Sequence, residues 1–321
     1  MRQNIILQKR NSQMLNAFVG IRKSIGKNFV FCLMVLPMFS FIVVFNYIPM
    51  YGIQLAFKNY VYDLGITKSP WIGFENFRFL LTSADLMEIL RNTVLYNLVF
   101  MFLGTFICIC VALLLFEITN KLVVKTYQTV MFFPYFLSWV VVSLVVYALL
   151  DPQFGLLNRI LAMVGVPAVD WYTRPELWPF IIVLAVIWKG TGYGSILYYA
   201  TLIGIDKEYF DSAQIDGANK FQIAVKISLP FLKQVIIIMM LLSLGGLVRS
   251  DFGLFFFLPR DIPMLYPTTR TIDTYVFSAL KKSSDYGIPT AIGLLQSVIG
   301  FILIVVSNAV IRKVDNESSL F

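Results

Sequence analysis

Histidine is missing from this sequence of 321 residues, and cysteine is scarce. Without histidine the chain lacks the usual proton shuttle and the commonest metal ligand of proteins. The three cysteines, Cys32, Cys108 and Cys110, lie within apolar runs and show neither metal-site spacing nor a disulfide framework. We interpret them as small packing side chains, and we expect neither a metal site nor histidine-based catalysis.

Charge is scarce as well, because Asp, Glu, Lys and Arg make up 14% of the residues, against roughly 25% in an ordinary soluble domain. Hydrophobic residues make up 58%, and the mean hydropathy is +0.77. An apolar run of about twenty residues crosses a bilayer as a helix, since its backbone polar groups are then paired internally. The sequence therefore predicts an all-α, polytopic membrane protein with six transmembrane helices, at 29–48, 92–116, 127–150, 179–203, 234–258 and 287–311.

The distribution of basic residues predicts how these helices are oriented. Lys and Arg number 14 on the side that carries both termini and 10 on the opposite side, and acidic residues number 7 and 10. Because basic residues concentrate at the cytoplasmic ends of spans, both termini of this multi-pass chain are expected in the cytoplasm. The tail 1–28 holds six basic and no acidic residues, and we expect it to touch anionic lipid headgroups. This accounts for the net charge of +8 without a nucleic-acid partner.

Two glycine-rich stretches look like nucleotide sites but fail on spacing. GIRKSIGKN at 20–28 has five residues between its glycines and Asn28 after the lysine, whereas a P-loop needs four residues and a Ser or Thr. KGTGYG at 189–194 lacks the G-x-G-x-x-G spacing and a strand–helix–strand context. We expect no nucleotide site on this chain. The glycines of the second stretch permit close helix packing or a helix break at membrane depth, and the sequence leaves both open.

Two basic residues lie well inside predicted spans, where a charge is costly and usually faces a partner or an aqueous pathway. They are Lys189 and Arg249, and an alternative for Arg249 is a structural ion pair with Asp251. Gly245-Gly246 just before it could open the helix around a cavity. Nearby aromatic rings suit stacking against sugars, although aromatic residues make up 16% of the chain and most of them serve packing. The candidate pathway residues are Trp188, Lys189, Tyr193, Tyr198, Arg249 and Asp251.

Residues 204–233 form a polar module between two spans. The signals in order are Asp206 as an N-cap, Asp216-Gly217 as a turn, Asn219 with Gln222 as a capping box, and Pro230 as the end of a second helix. Each helix would have about ten residues, too few to be stable alone in water. The module therefore needs support, and a partner protein is one candidate.

This module resembles the E-A-A-x3-G-x9-I-x-L-P loop of the membrane subunits of binding-protein-dependent ABC importers. The resemblance runs through Asp211, Ser212, Ala213, Gly217, Ile227, Leu229 and Pro230. Asp211 and Ser212 depart from the usual Glu and Ala, and both changes are chemically mild. RNTVLYNLVF at 91–100 is similar to the start of that family's core, and the stretches 131–158 and 250–261 resemble its oligosaccharide permeases of the Firmicute, lipoprotein-linked type.

The resemblance implies a type I ABC importer fold, with a five-helix core at 92–311 that includes the loop 204–233. Before the core come the tail 1–28, the first helix 29–48 and an extracytoplasmic segment 49–91, and a cytoplasmic tail 312–321 follows it. In this family the loop docks on a separate ATPase. The residues expected to couple to it are Asp211, Ser212, Ala213, Asp216, Gly217, Ile227, Leu229 and Pro230.

The resemblance also implies partners: a second permease subunit, an ATPase dimer that uses ATP and Mg²⁺, and an extracytoplasmic solute-binding lipoprotein that would dock on 49–91 and 259–286. This chain would bind no cofactor itself and would carry oligosaccharides. If Lys189 and Arg249 line the pathway, the sugar is expected to be acidic, such as a uronic-acid oligosaccharide. The alternatives are a secondary transporter, which would favour embedded carboxylates where only Asp251 is found, and a membrane enzyme, which would need a cluster of acids, His or Cys at one membrane face.

Overall fold

A computed structural model describes residues 27–82, 84–283 and 286–315 of the chain. The predicted lipid contact of the basic tail falls almost entirely outside these residues, and so does most of the tail 312–321. Within the described ranges the fold is helical, and the only extended pairing there is an isolated antiparallel bridge between Lys58 and Trp71. The all-α prediction is confirmed.

Sixteen α-helices occur in the described residues. Their bounds are α1 Phe29–Ile42, α2 Gly65–Lys68, α3 Glu75–Thr82, α4 Ala84–Val99, α5 Thr105–Phe116, α6 Lys121–Phe132, α7 Trp139–Leu150, α8 Leu156–Met163, α9 Trp178–Ile203, α10 Lys207–Ile215, α11 Lys220–Ile223, α12 Leu229–Gly245, α13 Phe252–Phe257, α14 Tyr266–Thr269, α15 Ile272–Ser283 and α16 Gly287–Val314. Three π-helical turns, Val43–Tyr47, Phe100–Gly104 and Ala224–Ser228, join consecutive helices into longer ones.

Five continuous helical stretches of the described chain are long and apolar enough to cross a membrane. They are Phe29–Phe57, Leu86–Phe116, Pro175–Ile203, Lys220–Gly245 and Gly287–Lys313. A sixth span is present only if the bent pair Lys121–Phe136 and Trp139–Leu150 is taken as one. Six predicted spans therefore correspond to five helices and one bent pair.

The first span is longer than predicted, and its first helix, α1, lies apart from the core. Beyond residue 48 the chain continues as a 3₁₀ helix to Phe57, and this extension packs against α16. Ala56 there is fully buried, whereas α1 has no buried residue. The described core is therefore built from the extension and the later helices, and the sides of α1 are left for lipid or another protein.

The predicted span 127–150 is not one straight helix. It breaks at Leu137-Ser138, and the two halves are bent by 98°. Pro134 ends the first half because proline has no N–H to donate, and a short 3₁₀ turn, Phe133–Phe136, follows α6. Ser138 starts the second half, since its hydroxyl accepts a hydrogen bond from the backbone N–H of Val141 at 3.3 Å.

The predicted span 234–258 is wrong at both ends. The helix begins at Lys220, within the polar module, and ends at Gly245, where α12 packs closely on Ile304 and Gly300 of α16. Residues 246–251 are not α-helical, and the short α13 follows. The helix opens at Gly245-Gly246, as the sequence suggested; a cavity around this opening stays a prediction.

Backbone groups of this non-helical segment are paired by side chains from other helices. The amide of Asn97 in α4 donates to the carbonyls of Leu247 at 2.9 Å and Arg249 at 2.5 Å. Gln296 of α16 donates to the carbonyl of Val248 at 2.7 Å. The carboxylate of Asp273 accepts from the backbone N–H of Ser250 at 2.6 Å. Such pairing is required of any non-helical backbone at membrane depth.

Gly192 and Gly194 of α9 serve close packing, and the helix does not break there, which settles the alternative that the sequence left open. α9 is continuous from Trp178 to Ile203. A Cβ atom at Gly192 would overlap the backbone of Met131 in α6, and one at Gly194 would lie 2.6 Å from the Cys108 sulfur in α5. The absence of side chains at these positions lets three helices approach closely.

We expect Gly192→Ala to lower the free energy of unfolding by about 1–3 kcal/mol, because the added methyl group has to displace the α6 backbone. Thermal unfolding of the purified protein in detergent measures the effect. Gly190→Ala is the matched control, since no atom lies within 4 Å of a Cβ there. Equal effects of the two variants would contradict the packing role.

Asn97→Leu should destabilise the fold by about 1–3 kcal/mol for each carbonyl left without a donor. The control is Ser243→Ala, which removes a hydroxyl that, within the described residues, donates to the carbonyl of Met239 one turn earlier in the same helix, and it should have little effect. Chemical denaturation followed by tryptophan fluorescence compares the two. An Asn97→Leu protein as stable as the control would show that this amide does not hold the segment.

Candidate functional site

The two helix breaks lie next to each other in the fold. Trp139, the first residue after one break, donates from its indole Nε1 to the carboxylate of Asp251 at 2.6 Å. Asp251 is the last residue of the other break and caps α13 by accepting from the backbone N–H of Leu254 at 3.2 Å. Gly253 lies so close to Trp139 that a Cβ would come within 2.8 Å of its indole ring. We call Trp139, Asp251 and Lys189 the junction.

Lys189 of α9 completes the junction. Its Nζ donates to the backbone carbonyl of Tyr135 at 2.7 Å, and it lies 5.2 Å from the ring centre of Tyr135 and 5.4 Å from that of Trp139. The carboxylate of Asp251 also attracts it electrostatically. The Tyr135 carbonyl belongs to the last turn before the break, where a helix leaves carbonyl groups unpaired and carries partial negative charge.

Arg249 and Asp251 do not form the ion pair that was the alternative interpretation. Arg249 donates from Nη2 to the hydroxyl of Ser297 in α16 at 2.9 Å, while Asp251 is used by Trp139 and Leu254. Both side chains are exposed. Within the described ranges no group of three His, Cys, Asp or Glu side chains is arranged as metal ligands.

The candidate aromatic residues divide into two groups. Tyr193 is 53% exposed and stacks on Tyr135, with ring centres 4.3 Å apart and planes 8° from parallel, and Trp188 is 46% exposed. Tyr198 is only 4% exposed and packs in a cluster with Cys108 and Leu232. Its buried position favours a packing role for Tyr198, and its place in a pathway stays a prediction.

The polar module 204–233 begins as the sequence predicts. The Asp206 carboxylate caps α10 by accepting from the backbone N–H of Glu208 at 3.1 Å. Gly217 follows α10 with φ +80°, a conformation that favours glycine. Asn219 and Gln222 form the predicted capping box, with bonds of 2.8 and 2.9 Å.

Pro230 does not end the second helix, and that prediction is wrong. The helix runs from α11 through the π turn Ala224–Ser228 into α12, where Pro230 occupies a first-turn position. Proline is tolerated in the first turn because its missing N–H has no partner to lose there. The wider π turn before it interrupts the regular hydrogen-bond pattern.

Contacts with the membrane-spanning helices hold the module in place. The buried ring of Phe210 packs on Phe116 of α5, with centres 5.2 Å apart. Lys220 pairs with Glu117 at 2.7 Å, just after the end of α5. Of the motif residues, Leu229 packs against the Cys108 cluster and Ile227 is half-buried, whereas Asp211, Ser212, Asp216, Gly217 and Pro230 are exposed and Ala213 is half-exposed.

Sequence reasoning gave no role to the most exposed apolar side chains of the module. Ile215 is 86% exposed at the end of α10, and Phe221 is 76% exposed in α11. They flank the turn at Gly217. The sequence signal for them is one apolar residue on each side of the polar Asp216–Lys220 turn. Averaging the hydropathy over a window hides this signal.

The opposite end of the fold presents aromatic and charged side chains. Tyr62 is 85% and Trp71 64% exposed. Asp151 follows α7, and its pKa is held below the ordinary value mainly by the backbone N–H of Phe154 and also by the hydroxyl of Tyr147. Arg260 lies over the Tyr147 ring, 4.1 Å from its centre.

Relatives of known sequence are similar over nearly the whole chain. The protein LplB of Bacillus subtilis is 30% identical over 315 residues, covering 97% of this chain and 98% of LplB. The polygalacturonan/rhamnogalacturonan transport system permease protein YteP of the same organism is 31% identical, covering 89% of this chain and 88% of YteP.

A solved bacterial ABC transporter involved in the import of the acidic polysaccharide alginate contains a chain with the same fold. Its TM-score is 0.84 at 30% identity, with 92% of this chain and 99% of that chain covered. Residues 86–316 also match a protein family described as binding-protein-dependent transport system inner membrane component. The chain therefore belongs to this family of ABC transporter permeases.

Proposed function

We propose that this chain is one of two permease subunits of an ATP-driven importer of acidic oligosaccharides. Module 204–233 then binds a separate ATPase and transmits its conformational change to the permease. The observation that carries the proposal is a helix–turn–helix firmly attached to the membrane helices while it exposes two large apolar side chains, Ile215 and Phe221. In this arrangement the ATPase uses ATP and Mg²⁺, and the permease supplies the path.

The geometry of the module suits a mechanical contact. Exposed apolar side chains on a rigid support are the anchors that dominate protein–protein binding. Phe210 and Lys220 join the module to α5 and the turn after it, and α11 continues through α12 to the non-helical segment that holds Arg249. A displacement of the module is thereby passed to helices of the membrane core.

The orientation that we propose places this module, both termini and the ATPase in the cytoplasm. Lys233 pairs with Asp315 at 2.7 Å, which puts the end of α16 beside the module. Basic residues favour the cytoplasmic side. The segments 49–91 and 259–286 then face outward and form the surface for a solute-binding lipoprotein. A second alginate transporter structure, similar at 29% identity with a TM-score of 0.82, was solved with an alginate pentasaccharide-bound periplasmic protein.

An acidic oligosaccharide is the substrate class that we favour. YteP is named for polygalacturonan and rhamnogalacturonan transport, and the solved neighbour imports alginate; polygalacturonan and alginate are uronic-acid polymers. In this chain Lys189 lies within a candidate membrane span beside the rings of Tyr135 and Trp139, and Arg249 lies exposed four residues after the end of another; a charge at membrane depth is retained for a partner or pathway.

Copurification tests the assembly. A tagged chain, expressed together with its neighbouring genes, should retain a second permease and an ATPase in mild detergent. Phe221→Ala and Ile215→Ser should each weaken ATPase retention by about tenfold or more, as the loss of an interface anchor does. Met163→Ala is the control, because Met163 is 84% exposed at the other end of the fold. Recovery of no ATPase with the unmodified chain would refute the proposal.

Gly217→Pro tests coupling itself. Proline holds φ near about −65° and cannot adopt the +80° of Gly217. We expect ATP hydrolysis to continue while transport in proteoliposomes falls by at least about tenfold, since one transmitting turn is lost. Gly165→Pro is matched, because Gly165 has φ +76° and equally open surroundings. Normal transport by the Gly217→Pro protein would remove the role assigned to this turn.

A further inference from the structure

Two basic side chains lie in or just beyond candidate membrane spans, Lys189 within Pro175–Ile203 and Arg249 four residues after the end of Lys220–Gly245, and their surroundings differ. We propose that Arg249 is the specificity-determining residue that binds the carboxylate of an acidic sugar, and that Lys189 is a positioning residue that holds a helix break and touches no substrate. This assignment rests on the proposed function, because it names the side chain that recognises the negative charge of the proposed substrate.

Lys189 is bound by a helix end and two aromatic rings of the protein. Its ammonium group donates to the Tyr135 carbonyl at 2.7 Å and lies over the rings of Tyr135 and Trp139. A cation at the carbonyl end of a helix is stabilised by the partial negative charge there, and each aromatic face adds to that attraction. A substrate carboxylate that drew Lys189 away from these groups would release the helix end that it caps.

Arg249 has donors to spare. A guanidinium group carries five N–H donors, and the bond to the Ser297 hydroxyl at 2.9 Å is its one side-chain hydrogen bond within the described ranges. Asp251, in the same segment, and Asp273, which binds the adjacent Ser250, are both engaged elsewhere. Asp251 accepts from Trp139 and Leu254, and Asp273 accepts from Ser250 and Gln296. The exposed guanidinium group therefore keeps its charge available.

The backbone that carries Arg249 is fixed before any ligand arrives. Asn97 binds the carbonyl of Arg249 itself and that of Leu247, and Gln296 binds the carbonyl of Val248. A side chain presented from a fixed segment loses less freedom on binding. Arginine also has a planar fork that matches a carboxylate with two parallel hydrogen bonds, which lysine does not offer.

A neutral sugar gains less from this arrangement than an acidic one. A sugar hydroxyl can accept a hydrogen bond from the guanidinium group, whereas the carboxylate of a uronic-acid unit adds a full opposite charge and accepts two parallel hydrogen bonds. The structure thus predicts that loss of Arg249 affects acidic substrates selectively.

The test uses the complete transporter in proteoliposomes with its binding protein. The probes are the trisaccharide of galacturonic acid and its fully methyl-esterified, uncharged form. Each initial rate is divided by the wild-type rate for the same sugar, so that the preference of the binding protein cancels. Arg249→Gln should raise the KM for the acid by about tenfold to a hundredfold and leave the KM for the ester unchanged. Arg249→Lys should restore the KM only in part.

Lys189→Met is the comparison variant. It should lower kcat for both sugars by a similar factor and leave the ratio of their KM values unchanged, because the helix break that it disturbs is needed for the transport of every substrate. Calorimetric binding of the acidic trisaccharide to the assembled transporter in detergent gives a second measurement without the binding protein. There Arg249→Gln should weaken binding by about tenfold or more, and Lys189→Met should not.

Two results would overturn the assignment. One is an equal loss for acid and ester in Arg249→Gln, and the other is a selective loss for the acid in Lys189→Met. A wild-type transporter that retains its ATPase but neither binds nor carries the acidic trisaccharide would refute the acidic substrate in the proposed function, and the role of Arg249 with it. Absence of an ATPase would instead refute the proposed assembly.

Discussion

Inside a hydrocarbon layer the backbone has to find its hydrogen-bond partners within the protein, since no water is available to supply them. A continuous helix meets this requirement alone, but a broken helix does not. This chain has two breaks, at Leu137-Ser138 and at residues 246–251. The first is closed by Ser138 and Lys189, and the second by Asn97, Gln296 and Asp273.

The two breaks also depend on each other. Trp139 starts the helix after one break and binds Asp251, which starts the helix after the other. Lys189 lies over the Trp139 ring while it caps the helix before the first break. A change at one break therefore affects the other through the indole ring of Trp139. The side chain that is left with free donors beside this arrangement is that of Arg249.

Local signals allowed the sequence to predict the helix class, the number of apolar segments and the caps of the polar module. Asp206 and the Asn219–Gln222 box act within three residues of their own positions, so a single sequence contains the whole signal. The break at 246–251 depends instead on Asn97 and Gln296, which are distant in the sequence. Apolar residues flank it on both sides, so hydropathy extended the span through it although it contains Arg249, Ser250 and Asp251.

The sequence also did not show which side of its helix a residue faces. Tyr193 and Tyr198 lie on the same helix, but one is 53% and the other 4% exposed. Five residues of helix turn through about 500°, which places these two side chains on different faces. Periodicity cannot show which face is buried when nearly all residues around the helix are apolar. Pro230 was misread for a related reason, because a first-turn proline and a terminating proline look alike in sequence.

The helix from Lys220 to Gly245 runs unbroken from the polar module to the edge of the second break. Its 26 residues correspond to a rod of about 39 Å. A rod of that length acts as a lever arm: tilting it by about 10° around its module end moves the far end by about 7 Å, from the same helix geometry. A small rotation at the surface of the membrane thus displaces Gly245, four residues before Arg249, by about the length of a sugar ring.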